Sequence, residues 1–478
     1  MKGVLSAEQM VASDQYTIQQ LGVPGVELME RAAQACIEAL TPHLTSQSNI
    51  AVITGAGNNG GDGFAIARLL LEAGYAANTI MLFEPEKLQG DALANYQNLK
   101  ERTDSIVLCG DNLEIDTHVE WIVDAIFGTG LNRPAQGRIA DAIETINQHP
   151  SRVLAVDLPS GLFGSKSVKP GPAVKADITL SFQALKTAHC ITPACLSCGQ
   201  IIVPDIGIRI PGSIEINTFF LNSEDYERPS RDPNSHKGSH GTLAILGGFE
   251  GMEGAANLCA VASLRFGAGK TKVYTNAAFG RFHHDSVMVA NIDQLQNDHH
   301  QHWVLGPGLS RIDNAGTTLK KLSLSQARVV WDADSLYFLS QERPYHMGKD
   351  WVITPHPGEA GMLLGVNAAE VQRDRLAAIH ALGETYPGGW ILLKGHRSLI
   401  LSPNGELFIC GPGGPALATA GSGDVLSGMI GAMFAQGFPT DEAILLACLR
   451  HGIAGERWSR HHRDYAMLAE DIIEDLKS

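Results

Sequence analysis

The segment Pro415-Ala416-Leu417-Ala418-Thr419-Ala420-Gly421-Ser422-Gly423-Asp424 joins an uncovered backbone to a single acid. Gly421, Ser422 and Gly423 leave their amides bare just before an apolar run, Val425 to Phe434, with helical spacing. A helix start preceded by glycines holds a phosphate through free N–H groups and a favourable dipole. Asp424 would repel that phosphate unless it had a task of its own. The natural task is to take a proton from a hydroxyl attacking the phosphate. The plain alternative is a glycine-rich helix start with an ordinary first-turn Asp.

Other segments of the second half add parts to such a site. Lys394-Gly395-His396-Arg397-Ser398 follows a strand and can bring a cation and amides to nucleotide phosphates. Thr354-Pro355-His356-Pro357-Gly358-Glu359 ends another strand in a rigid turn, from which Glu359 can approach a magnesium ion. Gly306-Pro307-Gly308-Leu309 and Gly254-Ala255-Ala256 are small enough to let a substrate pack against backbone. Each segment alone reads equally well as turn chemistry.

The first half carries a second constellation. Gly55-Ala56-Gly57-Asn58-Asn59-Gly60-Gly61-Asp62-Gly63 follows a strand and opens a helix, the context of a phosphate cradle. It is neither the usual dinucleotide fingerprint nor a P-loop, because asparagines hold the tip and no Lys-Ser/Thr follows. Val123-Asp124-Ala125-Ile126-Phe127-Gly128-Thr129-Gly130 and Ala155-Val156-Asp157-Leu158-Pro159-Ser160-Gly161 also end strands with an acid. In an open parallel sheet such strand ends converge on one crevice. Asn59, Asp124 and Ser160 then offer hard oxygens to an alkali or alkaline-earth cation, leaving Asp157 facing the ligand.

These residues need two strand–helix alternating halves to position them. The first half reads as a helical stretch, Ser6 to Leu40, then strands at Ile50–Thr54, Thr79–Phe83, Trp121–Ile126, Val153–Asp157, Ile178–Phe182 and Gln200–Val203, with a helix from Phe64 to Ala73. Short apolar strands separated by helices imply a mainly parallel sheet covered on both faces. From Ile214 to Pro233 the pattern breaks, and the domain boundary is expected there. The second half reads as strands at Thr242–Leu246, Thr271–Thr275, Trp303–Leu305, Val329–Asp332, Trp351–Thr354 and Trp390–Leu393, with helices at Ala255–Phe266, Val425–Gln436 and Asp441–Trp458. Asn404-Gly405 between Leu399–Leu401 and Leu407–Cys410 predicts a hairpin.

Composition bounds the partners. A chain of 478 residues, 44% hydrophobic and 18% charged, fits a folded protein of two domains. A formal net charge of −15 argues against nucleic acid or an anionic membrane as partner. No apolar run reaches spanning length, and the N-terminal residues do not read as a signal peptide, so a cytoplasmic protein is expected. Eight cysteines do not suggest a disulfide framework; Cys195-x-x-Cys198 near Cys190 lacks a second pair at metal-site spacing. The pairs His283-His284, His299-His300 and His461-His462 read as solvated surface.

The N-N-G-G-D-G loop, D-A-I-F-G-T-G and V-D-L-P-S-G together resemble the NAD(P)H-hydrate epimerase family over residues 1–215. The resemblance implies a Rossmann-like α/β/α sandwich acting on hydrated NADH and NADPH. It implies substrate contacts from Asn58, Asn59, Gly60, Gly61 and Asp62, from Gly128, Thr129, Gly130, Leu131, Asn132, Arg133 and Pro134, and from Asp157. It also implies a potassium ion (K+) on Asn59, Asp124 and Ser160, with Asp157 as the acid/base near C6 of the damaged ring. His236-Lys237-Gly238, Asp332-Ala333-Asp334, T-P-H-P-G-E and G-S-G-D resemble the ADP-dependent NAD(P)H-hydrate dehydratases over residues 225–478, with a ribokinase-like α/β fold. There the resemblance implies that Ala255, Gly308, His356 and Asp424 meet the hydrated cofactor. Lys394, Gly395, His396, Arg397, Ser398 and Gly423 would meet ADP, beside the anion hole of Gly421 and Ser422, with Mg2+ near Glu359.

The two halves in one chain resemble the bifunctional NAD(P)H-hydrate repair family. Such a protein would epimerise the R and S hydrates and dehydrate the S hydrate, converting ADP to AMP and phosphate. A homo-oligomer is expected. A small-molecule kinase and a non-catalytic nucleotide sensor are the rival readings; the kinase keeps phosphate on its product, and the sensor has no use for Asp157 and Asp424.

Overall fold

The computed structural model describes residues 1–478 apart from 228–229, 279–283, 298, 312, 322–326 and 344. His283 therefore lies outside the described residues. The chain divides into two compact units, Lys2–Ile216 and Asn217–Ser478.

The first unit contains β1 (Lys2–Leu5), α1 (Ala7–Gln15), α2 (Gly25–Leu40), β2 (Asn49–Thr54), α3 (Asn58–Glu72), β3 (Ala76–Met81), α4 (Gly90–Lys100), β4 (Ile106–Leu108), β5 (Trp121–Ala125), α5 (Arg138–Gln148), β6 (Arg152–Val156), β7 (Ile178–Leu180), β8 (Leu185–Lys186), α6 (Thr187–Cys190) and β9 (Gln200–Ile202). Its main sheet is wholly parallel in the order β4-β3-β2-β5-β6-β7-β9. The chain winds outward from β2 in one direction and from β5 in the other. The carboxyl ends of β2 and β5 therefore flank the topological switch point, where open α/β sheets bind ligands. Ile50, Val52, Ile53, Ile122, Val123, Leu154 and Val156 are buried, as strands covered on both faces require.

Two expectations for this unit are corrected. The stretch from Ser6 to Leu40 is not one helix. A Ser6–Gln9 capping box starts α1, and the left-handed Gly22 (φ 74°) and Pro24 separate it from α2. The Asn/Gly segment is not a loop before a helix at Phe64; it is the first two turns of α3 itself. The reason is close packing. A Cβ on Gly63 would lie 2.6 Å from Ala125 Cβ and 2.9 Å from Thr54 Cγ2, and one on Gly60 would lie 2.0 Å from the Gly55 carbonyl oxygen. These glycines let α3 press onto β2 and β5.

The second unit contains β10 (Thr218–Leu221), β11 (Thr242–Leu246), α7 (Glu253–Arg265), β12 (Lys270–Thr275), β13 (Met288–Asn291), β14 (His302–Leu305), α8 (Asp313–Lys321), β15 (Arg328–Trp331), α9 (Asp334–Ser340), β16 (Trp351–Ile353), α10 (Pro357–Leu364), α11 (Ala368–Arg373), α12 (Arg375–Thr385), β17 (Trp390–Leu393), β18 (Leu399–Leu401), β19 (Leu407–Cys410), α13 (Ser422–Ala435), α14 (Thr440–His461) and α15 (Ala469–Asp475). Strands run β13-β12-β11-β14-β15-β16-β17-β18-β19-β10. They are parallel from β13 to β17, and the predicted hairpin adds β18 and β19 antiparallel, with Gly405 at φ 87°. Winding reverses between β11 and β14. The apolar helix α13 packs against α7 in the core, with Val425, Met429, Ile430 and Phe434 fully buried.

Gly63→Ala inserts a methyl where no space exists, so it should destabilise the first unit by about 1–3 kcal/mol. Calorimetry of the full chain would register this as a lowered melting transition for that unit.

Candidate functional sites

In the first unit a cavity of about 470 Å³ opens beside the β2/β5 switch point. Asn58, Asn59 and Asp62 reach it from α3, Gly128, Thr129, Gly130 and Leu131 from the segment after β5, and Asp157 from the end of β6. Gly60 is packed against the Gly55 backbone and Gly61 against Ala92 and Met29 instead, and Asn132, Arg133 and Pro134 do not line the cavity.

Asp157 is held in the left-handed region at φ 64°, unusual for a residue with a Cβ and costing roughly 1 kcal/mol or more. That backbone turns its carboxylate onto Lys186. The Lys186 side chain is 1% exposed and its Nζ donates to Asp157 Oδ1 at 2.6 Å, to Ser181 Oγ and to the Phe182 carbonyl at 3.1 Å. The Thr129 amide donates to the other oxygen at 3.2 Å. Burial alone would raise the Asp157 carboxyl, but the Lys186 ammonium, with His189 and the Thr129 amide, outweighs it and holds the group below its ordinary value. Asp62 behaves oppositely: burial, then the charges of Asp157 and Asp14, push it well above the carboxylate range.

Beneath the cavity, Asp124 and Ser160 are fully buried. Ser160 Oγ donates to Asp124 Oδ1 at 2.6 Å, the Ser160 amide to Oδ2 at 2.8 Å, and the Ile126 amide to Oδ1 at 3.3 Å. Burial raises this carboxyl to about 6 against those donors, and every recorded partner is neutral. A Cβ on Gly128 would lie 2.9 Å from Asn59 Oδ1 and 3.1 Å from Asp157 Oδ2, so the Asn59 carbonyl oxygen sits beside the same loop.

In the second unit a cavity of about 500 Å³ is lined by His356, all of Lys394 to Ser398, Ser422 and Gly423. Gly421, at φ 85°, caps α13, and a Cβ there would strike Leu258 at 2.5 Å. The helix's first intrahelical bond runs from the Val425 amide to the Gly421 carbonyl at 3.0 Å, leaving the Gly423 and Asp424 amides without helical acceptors. A Cβ on Gly423 would lie 3.2 Å from Lys394 Nζ, so the ammonium stands next to those amides.

Lys394 is itself shared among three acids. Its Nζ donates to Asp332 Oδ1 at 2.7 Å and lies 3.8 Å from Glu359 Oε2. Asp332 is 2% exposed and also accepts from Ser427 Oγ at 2.6 Å; Lys394 and the hydroxyls of Ser427 and Thr354 outweigh its burial and hold it low. Asp424 sits on the first turn of α13, partly exposed, and accepts no hydrogen bond among the described residues. Burial, followed by the charge of Asp332, raises it to about 7, with Lys394 only partly opposing. Glu359 is raised by burial and closes a capping box with His356, whose amide donates to Oε2 at 2.8 Å.

Several supporting residues escape a reading of motifs. Arg375, fully buried, donates from below to the carbonyls of Leu393, His396 and Arg397, fixing a loop in which Arg397 is left-handed (φ 52°). His451 Nε2 lies 3.1 Å from Ser422 Oγ; burial pushes it to about 4, so it is neutral. Asp332 did carry a signal, as a strand-end Asp like Asp124 and Asp157. Ala256 is fully buried whereas Ala255 is partly exposed, which leaves Ala255 as the residue able to touch a ligand. Gly308 is pinned against Met252, where a Cβ would meet the carbonyl oxygen at 2.3 Å. Ala255, Gly308, Glu359, Gly421 and Asp424 do not line the cavity that holds the Lys394 loop. All eight cysteines are buried. No helix among the described residues is long and apolar enough to cross a membrane.

Known family models match the chain once in each unit. A family model described as NAD(P)H-hydrate dehydratase matches residues 243–478, and one described as YjeF-related protein N-terminus matches residues 25–188. The bifunctional NAD(P)H-hydrate repair enzyme of Moorella thermoacetica is 33% identical, over 99% of this chain and 96% of that protein. The enzymes of the same name from Coxiella burnetii and Escherichia coli are 34% and 33% identical, over 95% and 96% of this chain and 95% and 90% of theirs. A ribokinase-like superfamily protein of Enterococcus faecalis has a TM-score of 0.50 and 26% identity, over 56% of this chain and 96% of that one. Matching at this level along nearly its whole length, the chain belongs to the bifunctional NAD(P)H-hydrate repair enzyme family.

Proposed function

We propose that the second unit dehydrates the S hydrate of NADH and NADPH at the expense of ADP, and that the first unit interconverts the R and S hydrates. The observation that carries the dehydration is Asp424. A carboxyl raised to about 7 beside free helix-start amides and Lys394 is matched to a base working near neutral pH.

Hydroxide leaves poorly, so the hydrate persists until its oxygen is activated. Asp424 takes the proton of the C6 hydroxyl as that oxygen attacks the β-phosphorus of ADP, and AMP departs. The amides of Gly423 and Asp424, with Lys394, face the charge that builds on the transferring group. The ring nitrogen then expels phosphate from C6, and loss of the C5 proton restores the reduced nicotinamide. The Gly395–Ser398 loop, braced by Arg375, holds the remainder of the nucleotide. Three carboxylates around one ammonium leave this pocket short of positive charge, which suits a divalent cation. A magnesium ion, held through Glu359, would supply that charge to the diphosphate.

In the first unit Asp157, kept ionised by Lys186, faces C6 of the hydrate. Its charge favours the cationic ring formed when the C–O bond breaks, and it can take a proton from water adding back to C6. Asp124 is a buried carboxylate with only neutral partners, an arrangement that calls for a bound cation. Potassium on Asn59, Asp124 and Ser160 would supply it and order the loop around Gly128.

Asp424→Asn should lower ADP-dependent recovery of reduced-nicotinamide absorbance by about 10²–10⁴-fold, with epimer interconversion within twofold of the unaltered chain. Because Asp424 must be ionised to act, kcat/KM for dehydration should fall as pH drops below about 7. A profile flat from pH 5.5 to 8.5 would contradict the assignment. Exchange of potassium for tetramethylammonium should raise KM for epimerisation several-fold, and an unchanged KM would remove the cation site.

A further inference from the structure

The cavity of the first unit has a wall that none of the motifs supplies. Met10, Val11, Asp14 and Ile18 reach it from α1 and the turn after it, ahead of the region matched by the family model at residues 25–188. The segment is anchored: Ser13 Oγ donates to the Gln9 carbonyl at 2.8 Å, and the Arg209 amide donates to Thr17 Oγ1 at 2.8 Å. Within this apolar wall Asp14 is the one ionisable side chain, and its carboxyl makes no hydrogen bond or ion pair among the described residues. It feels the charges of both Asp157 and Lys186.

Epimerisation at C6 through C–O cleavage imposes a demand that one carboxylate cannot meet. The hydroxyl must leave one face of the ring as water, and water must return to the other. That requires a proton donor for the departing oxygen and a proton acceptor for the incoming one, on separate parts of the cavity, as in other two-faced substitutions. Asp157 is held ionised and fills the acceptor role in the function proposed above, on which this inference rests.

We infer that Asp14 is the acid partner of Asp157, protonating the C6 hydroxyl as the C–O bond breaks. The Asp14 proton passes to the C6 oxygen, the C6–O bond cleaves, and water departs while the N1 lone pair forms the N1=C6 iminium. Water adds to the opposite face and gives its proton to Asp157. In the reverse direction the two carboxyls exchange roles, and between like turnovers the proton returns to Asp14 through solvent at the cavity mouth. Burial, followed by the charge of Asp157, raises the Asp14 carboxyl to about 6, Lys186 opposes, and Asp62 of α3 and Asp91 of α4 line the same cavity.

The test follows R/S hydrate interconversion by the full chain without ADP, in water enriched in oxygen-18. Asp14→Asn should cut kcat at least 100-fold, leave KM within threefold and abolish the loss of rate at alkaline pH. Asp14→Glu, which restores a carboxyl, should recover part of the rate, separating proton transfer from a folding defect. Each turnover of the unaltered chain should place one labelled oxygen at C6. An Asp14→Asn variant with unaltered kcat, or one changed only in KM, overturns the inference. So does epimerisation without label uptake, because ring opening at N1–C6 needs no acid on that oxygen. Failure of the unaltered chain to interconvert the epimers is a different result and removes the epimerase reading itself.

Discussion

In each unit one buried ammonium serves more carboxylates than it can neutralise. Lys186 acts on Asp157 and Asp14, with Asp62 repelled by both acids; Lys394 faces Asp332, Glu359 and Asp424. The acid in direct hydrogen-bond contact takes the charge, at 2.6 Å for Asp157 and 2.7 Å for Asp332. The acids left without contact are driven toward the protonated form by burial and like-charge repulsion. Environments that push neighbouring titratable groups apart are what separates acids from bases within one pocket. Under the proposed reactions the two units use the same arrangement differently. In the first, the held carboxylate Asp157 works with the unheld Asp14; in the second, the unheld Asp424 is the base.

Parallel topology makes this crowding unavoidable. Asp124 ends β5, Asp157 follows β6, Asp332 follows β15 and Lys394 follows β17, so every one of them issues from the same edge of its sheet. Asp14, Asp62, Glu359 and Asp424 are instead brought in by helices. The backbone contributes as much as the side chains. Left-handed Asp157 and Arg397, and the glycine cap of α13, aim groups that ordinary strand-to-helix turns would point elsewhere.

Much of this was legible in the residues alone. Buried strands announced themselves as runs such as Ile50–Thr54 and Val329–Asp332, and Asn404-Gly405 fixed the only hairpin foreseen. Leu185–Lys186 and Ile106–Leu108 are too short to show a period, and Ile106–Leu108 is largely exposed. The N-N-G-G segment was misread as loop because glycine and asparagine normally end helices; here tertiary packing against Thr54 and Ala125 decides. Lys186, Arg375 and Asp14 stayed hidden for another reason. Each acts through a partner distant in sequence, and a single lysine, arginine or aspartate in a helix or short strand carries no local signature.

The proposed dehydration requires the C6 oxygen to be phosphorylated before it leaves. Hydrate labelled with oxygen-18 at the C6 hydroxyl, turned over with ADP, should release inorganic phosphate carrying that label, visible as an isotope shift in the phosphorus-31 spectrum. Label recovered in water, with unlabelled phosphate released alongside the restored nicotinamide, would contradict it.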